Sequence, residues 1–198
     1  MDYLILIDRI EPVPEGLADS LHLKSAGGVL LEEQAAEALG RMLRAAESEG
    51  VKIKALSGYR SFEYQAELFR RLVREAEAGG LTHEEAAAEV SRTLAEPGHS
   101  EHNCGLAVDL CTPGADDTED GFYLTPQGRW LCRNAHSYGF ILRYPRMKEH
   151  LTGYSYEPWH YRYVGAEAAS LMKQSGLCLE EFLHFYSDSY YMIPDNKN

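Results

Sequence analysis

Apolar positions along this chain switch between a period of two and a period near 3.6, and each switch marks an element. Leu4 to Ile7 is a short apolar run bracketed by Asp2 and Asp8; it reads as a strand closed by the turn-forming Pro12-Val13-Pro14-Glu15-Gly16. From Leu31 to Ser48 the apolar and Ala positions, among them Ala35, Leu39, Met42 and Leu43, recur at helical spacing, with Gly50 as the stop. Val51 to Leu56 alternates at period two and reads as a half-buried strand leading into Ser57-Gly58-Tyr59-Arg60-Ser61. Ser61 is placed to cap a helix over Phe62 to Ala78. Thr82 with Glu85 forms a capping box that opens a third helix, which must stop before Pro97. The run from Gly105 to Leu110 is short, contains Val and follows Gly, which predicts a buried strand. An acidic loop follows over Thr112 to Gly121. Thr125-Pro126 then starts a helix that ends near Gly139. Phe140 to Tyr144 and Trp159 to Val164 read as strands, and Ala166 to Tyr186 as two amphipathic helices split at Gly176.

Helices and strands without strict β-α-β alternation predict an α+β fold, with helices packed around a central antiparallel sheet. No repeat, low-complexity run or internal linker interrupts the sequence. Residues 1–198 are therefore expected to form one domain, with a helical tail from about residue 166. Composition is ordinary, at 44% hydrophobic and 25% charged, which excludes collagen, coiled coil and bulk disorder. Charge narrows the field further. Nineteen Lys and Arg against 31 Asp and Glu give a net charge of −12, and so acidic a surface repels phosphate backbones and anionic headgroups. Neither nucleic acid nor a membrane surface is an expected partner. The N-terminal run lacks the features of a signal peptide, and no stretch approaches the ~20 apolar residues of a membrane span. The expected location is the cytoplasm if the chain is complete, and otherwise the extracellular part of an anchored or secreted protein. Cys104, Cys111, Cys132 and Cys178 form no C-x-x-C pair and are expected as packed thiols rather than disulfides.

Eight His are present, of which His22, His83, His136, His150 and His184 have no context that sets them apart. His102 differs because Asp109 follows it across Gly105 and the small Ala107. Asp109 falls in an otherwise apolar strand, where a carboxylate is costly to bury unless it is paired or binds a cation. His nitrogen and carboxylate oxygen are ordinary zinc donors, and a third ligand plus water would complete a catalytic tetrahedron. The spacing equally allows an ion pair between Asp109 and an Arg such as Arg60 or Arg143. In Glu157-Pro158-Trp159-His160 the proline forbids the helical arrangement of an H-E-x-x-H zinc site, so a turn feeding a strand is expected. From such a turn Glu157 and His160 can face one cleft, with Trp159 packed beneath or beside it; Glu157 could also be a plain exposed turn residue. Arg60, at a strand-to-helix junction, is either aimed into a cleft for an anionic group or paired on the surface with one of many carboxylates.

Taken in order, the S-G-Y-R-S run at Ser57, the Ser100-x-His102-x-x-Gly105-x-Ala107-x-Asp109 spacing and Glu157-Pro158-Trp159-His160 resemble the zinc D-alanyl-D-alanine carboxypeptidases. That family includes D,D-carboxypeptidases and bifunctional D,D-dipeptidase/carboxypeptidases of vancomycin resistance. Phe140-Ile141-Leu142-Arg143-Tyr144-Pro145 and Thr152-Gly153-Tyr154 are similar to its sequence before the last zinc ligand, and the resemblance runs from about Leu4 to Val164. It implies one zinc per chain, held by His102, Asp109 and His160, with Glu157 as the base for the zinc-activated water. Arg60 would stabilise the polarised carbonyl oxygen or hold substrate. Gln65 and Ser100 match positions that line the family's peptide site, and Trp159 is expected beside it. Cys104 is no ligand in the family pattern and is expected in the core.

The implied substrate is a peptidoglycan precursor or stem peptide, hydrolysed at its terminal D-Ala-D-Ala bond. A D-Ala-D-Ala dipeptidase and an L,D-carboxypeptidase are alternatives on the same scaffold. A catalytically silent zinc-containing peptide-binding module is the non-enzymatic one, and Glu157 argues against it, since a binder has no use for a base beside the metal.

Overall fold

In the computed structural model, residues 1–118 and 120–190 are described, with the side chains of 187–190 excepted. The regular structure begins with an antiparallel hairpin of β1 (Leu23–Ala26) and β2 (Val29–Glu32). Its turn is Gly27-Gly28, with φ of 60° and 90°, the left-handed pair that a two-residue hairpin loop requires. β2 runs directly into α1 (Glu33–Ser48), where the Glu32 carboxylate accepts from the N–H groups of Gln34 and Ala35. The helix expected from Leu31 therefore starts two residues later. Leu30 and Leu31 belong to a strand, and the Gly-Gly pair was the signal that separates the two.

The main sheet follows. β3 (Lys54–Ser57) leads to α2 (Phe62–Ala78), capped by Ser61, and to α3 (His83–Val90), opened by the Thr82/Glu85 capping box. β4 (Ala107–Cys111), α4 (Pro126–Asn134), β5 (Phe140–Leu142), the single turn α5 (Glu149–Thr152) and β6 (His160–Tyr163) come next, then α6 (Ala166–Ser175) and α7 (Leu179–Tyr190). The strands line up as β3-β4-β6-β5, every pair antiparallel. The fold is α+β, with helices around an antiparallel sheet, and the split of the C-terminal helices at Gly176 is as expected.

Two buried clusters fill the space between the layers. The larger packs Leu39 and Met42 of α1 against Leu106, Leu110, Trp130 and Phe140; the smaller packs Ile141 and Val164 against Met172, Leu179 and Phe182 of the last two helices. The N-terminal run corrects one expectation. Leu4 to Ile7 is not a strand, although Leu4 and Ile7 are buried, each in a different cluster. The carbonyls of Tyr3 and Ile5 accept from Arg162 Nη2 at 3.1 and 2.8 Å, so a side chain supplies what a neighbouring strand would have donated. No described helix is long and apolar enough to cross a membrane.

Candidate active site

β4 is buried along its whole length, and Asp109 sits at its centre, 4% exposed. Strand pairing puts Ser57 of β3 on one side of Asp109 and His160 of β6 on the other. His102 reaches the same point from the 3-10 turn Glu101–Cys104 before β4, a turn whose start is held by Ser100 Oγ accepting the His102 N–H at 3.3 Å. One donor atom from each of His102, Asp109 and His160 lies within 4.8 Å of the others, and all three residues are buried. Among the described residues no other group of three or more His, Cys, Asp or Glu comes together in this way. Cys104 packs in the core.

Each imidazole is oriented from behind. His102 Nδ1 lies 2.7 Å from the Gly58 carbonyl oxygen, which puts its proton there and turns Nε2 toward Asp109 Oδ2 at 3.3 Å. His160 presents Nδ1 to Asp109 Oδ1 at 3.1 Å and to Glu157 Oε2 at 3.7 Å. Its Nε2 faces Glu101 Oε2 at 3.4 Å. The Glu157 turn is set by its own N–H donating to the Tyr144 carbonyl and by the His160 N–H donating to the Glu157 carbonyl, both at 3.2 Å. The Glu157 carboxyl is buried rather than exposed, and its Oε1 has no protein partner.

Titration behaviour follows from this crowding. Burial pushes the Glu157 carboxyl up to about 8. For His160 burial works downward, but the Asp109 and Glu101 carboxylates prevail and push it up to about 9. Asp109 is held well below the usual carboxylate range, because its His and Arg neighbours outweigh its burial.

Arg60 makes the ion pair that the spacing allowed: Nη2 donates to Asp109 Oδ2 at 2.7 Å, in addition to the His-Asp-His grouping. Its Nε donates to Ser57 Oγ at 2.9 Å and its Nη1 to Gln65 Oε1 at 3.4 Å. Arg143 is not a partner of Asp109. Gln65 is fully buried, and its Nε2 donates to the Ala95 carbonyl at 2.7 Å. It braces Arg60 and the segment after α3 from behind and is not part of the cleft wall. Ser100, Trp159 and Arg60 do line the cleft, a cavity of about 390 Å³.

A second charged layer escaped the sequence reading. Glu101, Arg143 and Arg162 are all buried behind His160; Arg143 Nε and Arg162 Nη1 donate to Glu101 Oε1 at 2.7 and 2.6 Å. The remaining nitrogens of Arg143 grip Glu180 of α7 at 3.0 and 2.7 Å. A signal was present: Arg143 and Arg162 are charges inside apolar strand patterns, the same anomaly that singled out Asp109.

Comparison with known proteins shows what the chain is similar to. The sequence profile of the VanY family, D-alanyl-D-alanine carboxypeptidase, matches residues 28–166. A D-alanyl-D-alanine carboxypeptidase of Enterococcus faecalis is 42% identical over 181 residues, covering 91% of this chain and 65% of that protein. A solved structure of VanYB in complex with D-alanine-D-alanine matches with a TM-score of 0.82 at 41% identity, covering 92% of this chain and 98% of that one. A Glu-to-Ala variant of the vancomycin-resistance D,D-pentapeptidase VanY, from a VanB-type resistance cassette and in complex with Zn(II), matches with a TM-score of 0.82 at 40% identity, covering 92% and 99%. This chain spans 65%, 53% and 48% of the length of three curated relatives.

Proposed function

This chain belongs to the VanY family of D-alanyl-D-alanine carboxypeptidases, and from that membership we propose that it is a zinc-dependent D,D-carboxypeptidase. Its substrates are peptidoglycan precursors or stem peptides that end in D-Ala-D-Ala. One observation carries the reading: two imidazole nitrogens and a carboxylate oxygen converge within 4.8 Å, beside a buried Glu157 whose Oε1 has no protein partner. Nitrogen and carboxylate donors suit zinc, and three protein ligands is the count of an open catalytic site rather than a closed structural one. Zinc bound by His102, Asp109 and His160 supplies Lewis-acid polarisation of the scissile carbonyl and lowers the pKa of the attacking water.

The chain's own groups do the rest. Glu157 accepts the water proton and returns it to the departing amine, a task for a buried carboxyl that stands beside the ligand set with one oxygen free of protein partners. Arg60 is fixed by Ser57, Asp109 and Gln65 and has the remainder of its donor fork for the carbonyl oxygen or the substrate's terminal carboxylate. Ser100 and Trp159 wall the space in which the peptide lies. The described residues act as one domain in this reading, because the Arg143–Glu180 pair ties α7 to the layer behind the site. Elemental analysis tests the metal assignment. The wild type should carry about one zinc per chain, and His102→Ala and His160→Ala should lose it; metal content unchanged in both variants would remove these ligands.

A further inference from the structure

Behind His160 lies a carboxylate with no part in the chemistry above. Glu101 is 1% exposed, and its two oxygens have different work: Oε1 is taken by Arg143 and Arg162, and Oε2 faces His160 Nε2 at 3.4 Å. We propose that Glu101 is the positioning residue that fixes the tautomer and aim of His160, so that Nδ1 is the nitrogen offered to the metal. The inference rests on the zinc reading above and deepens it.

Hydrogen-bond capacity decides the tautomer. An ionised carboxylate only accepts, so the hydrogen between Glu101 and His160 belongs to Nε2. A neutral imidazole with its proton on Nε2 has its lone pair on Nδ1, the atom that points at Asp109 and Glu157. The Gly58 carbonyl acts on His102 in the opposite sense, leaving Nε2 as the donor there. The two ligands therefore present different nitrogens. Glu101 itself cannot turn, because each of its guanidinium partners is anchored elsewhere: Arg143 to Glu180 in α7, and Arg162 to the Tyr3 and Ile5 carbonyls. His160 is thereby tied to both ends of the described chain.

Glu101→Gln is the direct test. Arg143 and Arg162 only donate, so they hold the amide oxygen, and the amide NH₂ is left facing His160 Nε2. That contact drives the imidazole proton onto Nδ1, the metal-facing nitrogen. Zinc affinity, measured by competition with a chromophoric chelator, should fall on the order of 10–100-fold. An unchanged dissociation constant in a folded variant would overturn the proposal. Since the substitution removes a charge from a buried cluster, wild-type protein labelled with nitrogen-15 at histidine gives a second reading that does not depend on the variant. Zinc-loaded spectra should show His160 with its proton on Nε2 and a metal-shifted Nδ1. The reverse pattern overturns the tautomer assignment and leaves the zinc reading standing, whereas a wild type that binds no zinc takes both down.

Discussion

Replacing Gly58 by Ala should damage the site without altering any residue that faces the substrate. The Gly58 carbonyl holds His102 Nδ1 at 2.7 Å, and Gly58 lies two residues before Arg60. A Cβ at this position would lie 2.3 Å from the Leu30 carbonyl oxygen and 3.0 and 3.1 Å from side-chain atoms of Val29, where real Cβ contacts under 3.0 Å are essentially never seen. The Leu30 oxygen is backbone and accepts the Tyr59 N–H at 2.6 Å, so it cannot swing aside as a side chain would. Relief requires the segment after β3 to move away from β2 by well over half an ångström, and the Gly58 carbonyl and Arg60 travel with it.

Overpacking of this kind costs about 1–3 kcal/mol, which corresponds to a Tm lower by roughly 2–12 °C in a chain of this length. Loosening the partner of a metal-binding His weakens metal binding on the order of 10–100-fold, and a displacement of about 1 Å near the chemistry can slow turnover about a hundredfold. Thermal unfolding, chelator competition for zinc and the rate of D-Ala release measure the three effects separately. A Gly58→Ala protein with wild-type zinc affinity and wild-type rate would refute the link between this turn and His102.

Glu157→Gln should retain zinc and fold while turnover falls about 10²–10⁴-fold, because the base is not a ligand; if it lost the metal and Asp109→Asn kept it, ligand and base would be exchanged. For protein stripped of metal, stability should fall as pH rises. The folded-state values of Glu157, raised from 4.5 to about 8, and of His160, raised from 6.5 to about 9, mean that the fold holds protons the unfolded chain has released. Their contributions are fully present below 4.5 and 6.5 respectively and are lost as pH passes 8 and 9. Zinc takes the place of the proton on His160, its ligand, so the loaded protein should show a shallower decline. Melting curves across this range check the point, with Glu157→Gln separating its share from the general repulsion of a chain with net charge −12. Metal-free protein that grew more stable from pH 6.5 to 9 would contradict the assigned shifts.

Much of the site was legible because its residues break local rules. Asp109 is a carboxylate in an apolar strand, and Glu157 and His160 flank a proline that excludes a helix; the structure joins all of these with His102. Gln65 was legible only as a position. Its burial and its bond to the Ala95 carbonyl depend on how the segment after α3 folds back, which no local pattern encodes. Similarly, Leu4 to Ile7 has the apolar character of a strand, yet the Ile5 carbonyl within it accepts from Arg162, more than 150 residues away. The β1–β2 hairpin was hidden because Leu30 and Leu31 fit both the strand and the helical rhythm. Arg143 and Arg162 meet the same criterion as Asp109 but were not singled out by it, and their partner Glu101 lies in a polar turn where a carboxylate attracts no notice.

The central claim is that this site removes a terminal D-Ala from a D,D bond, and the products formed from matched peptides test it most directly. Zinc-loaded protein would be incubated with a pentapeptide ending in D-Ala-D-Ala, with its L-Ala-L-Ala counterpart, with the free D-Ala-D-Ala dipeptide and with a tetrapeptide ending in an L,D bond. The account predicts release of D-Ala from the D-Ala-D-Ala pentapeptide and weak activity on the all-L peptide, since inverting a stereocentre at a cleft that fixes the carbonyl misplaces it by about 1 Å, on the order of a hundredfold in rate. Equal rates on the D,D and L,L pentapeptides, or release of D-Ala only from the L,D tetrapeptide, would contradict it.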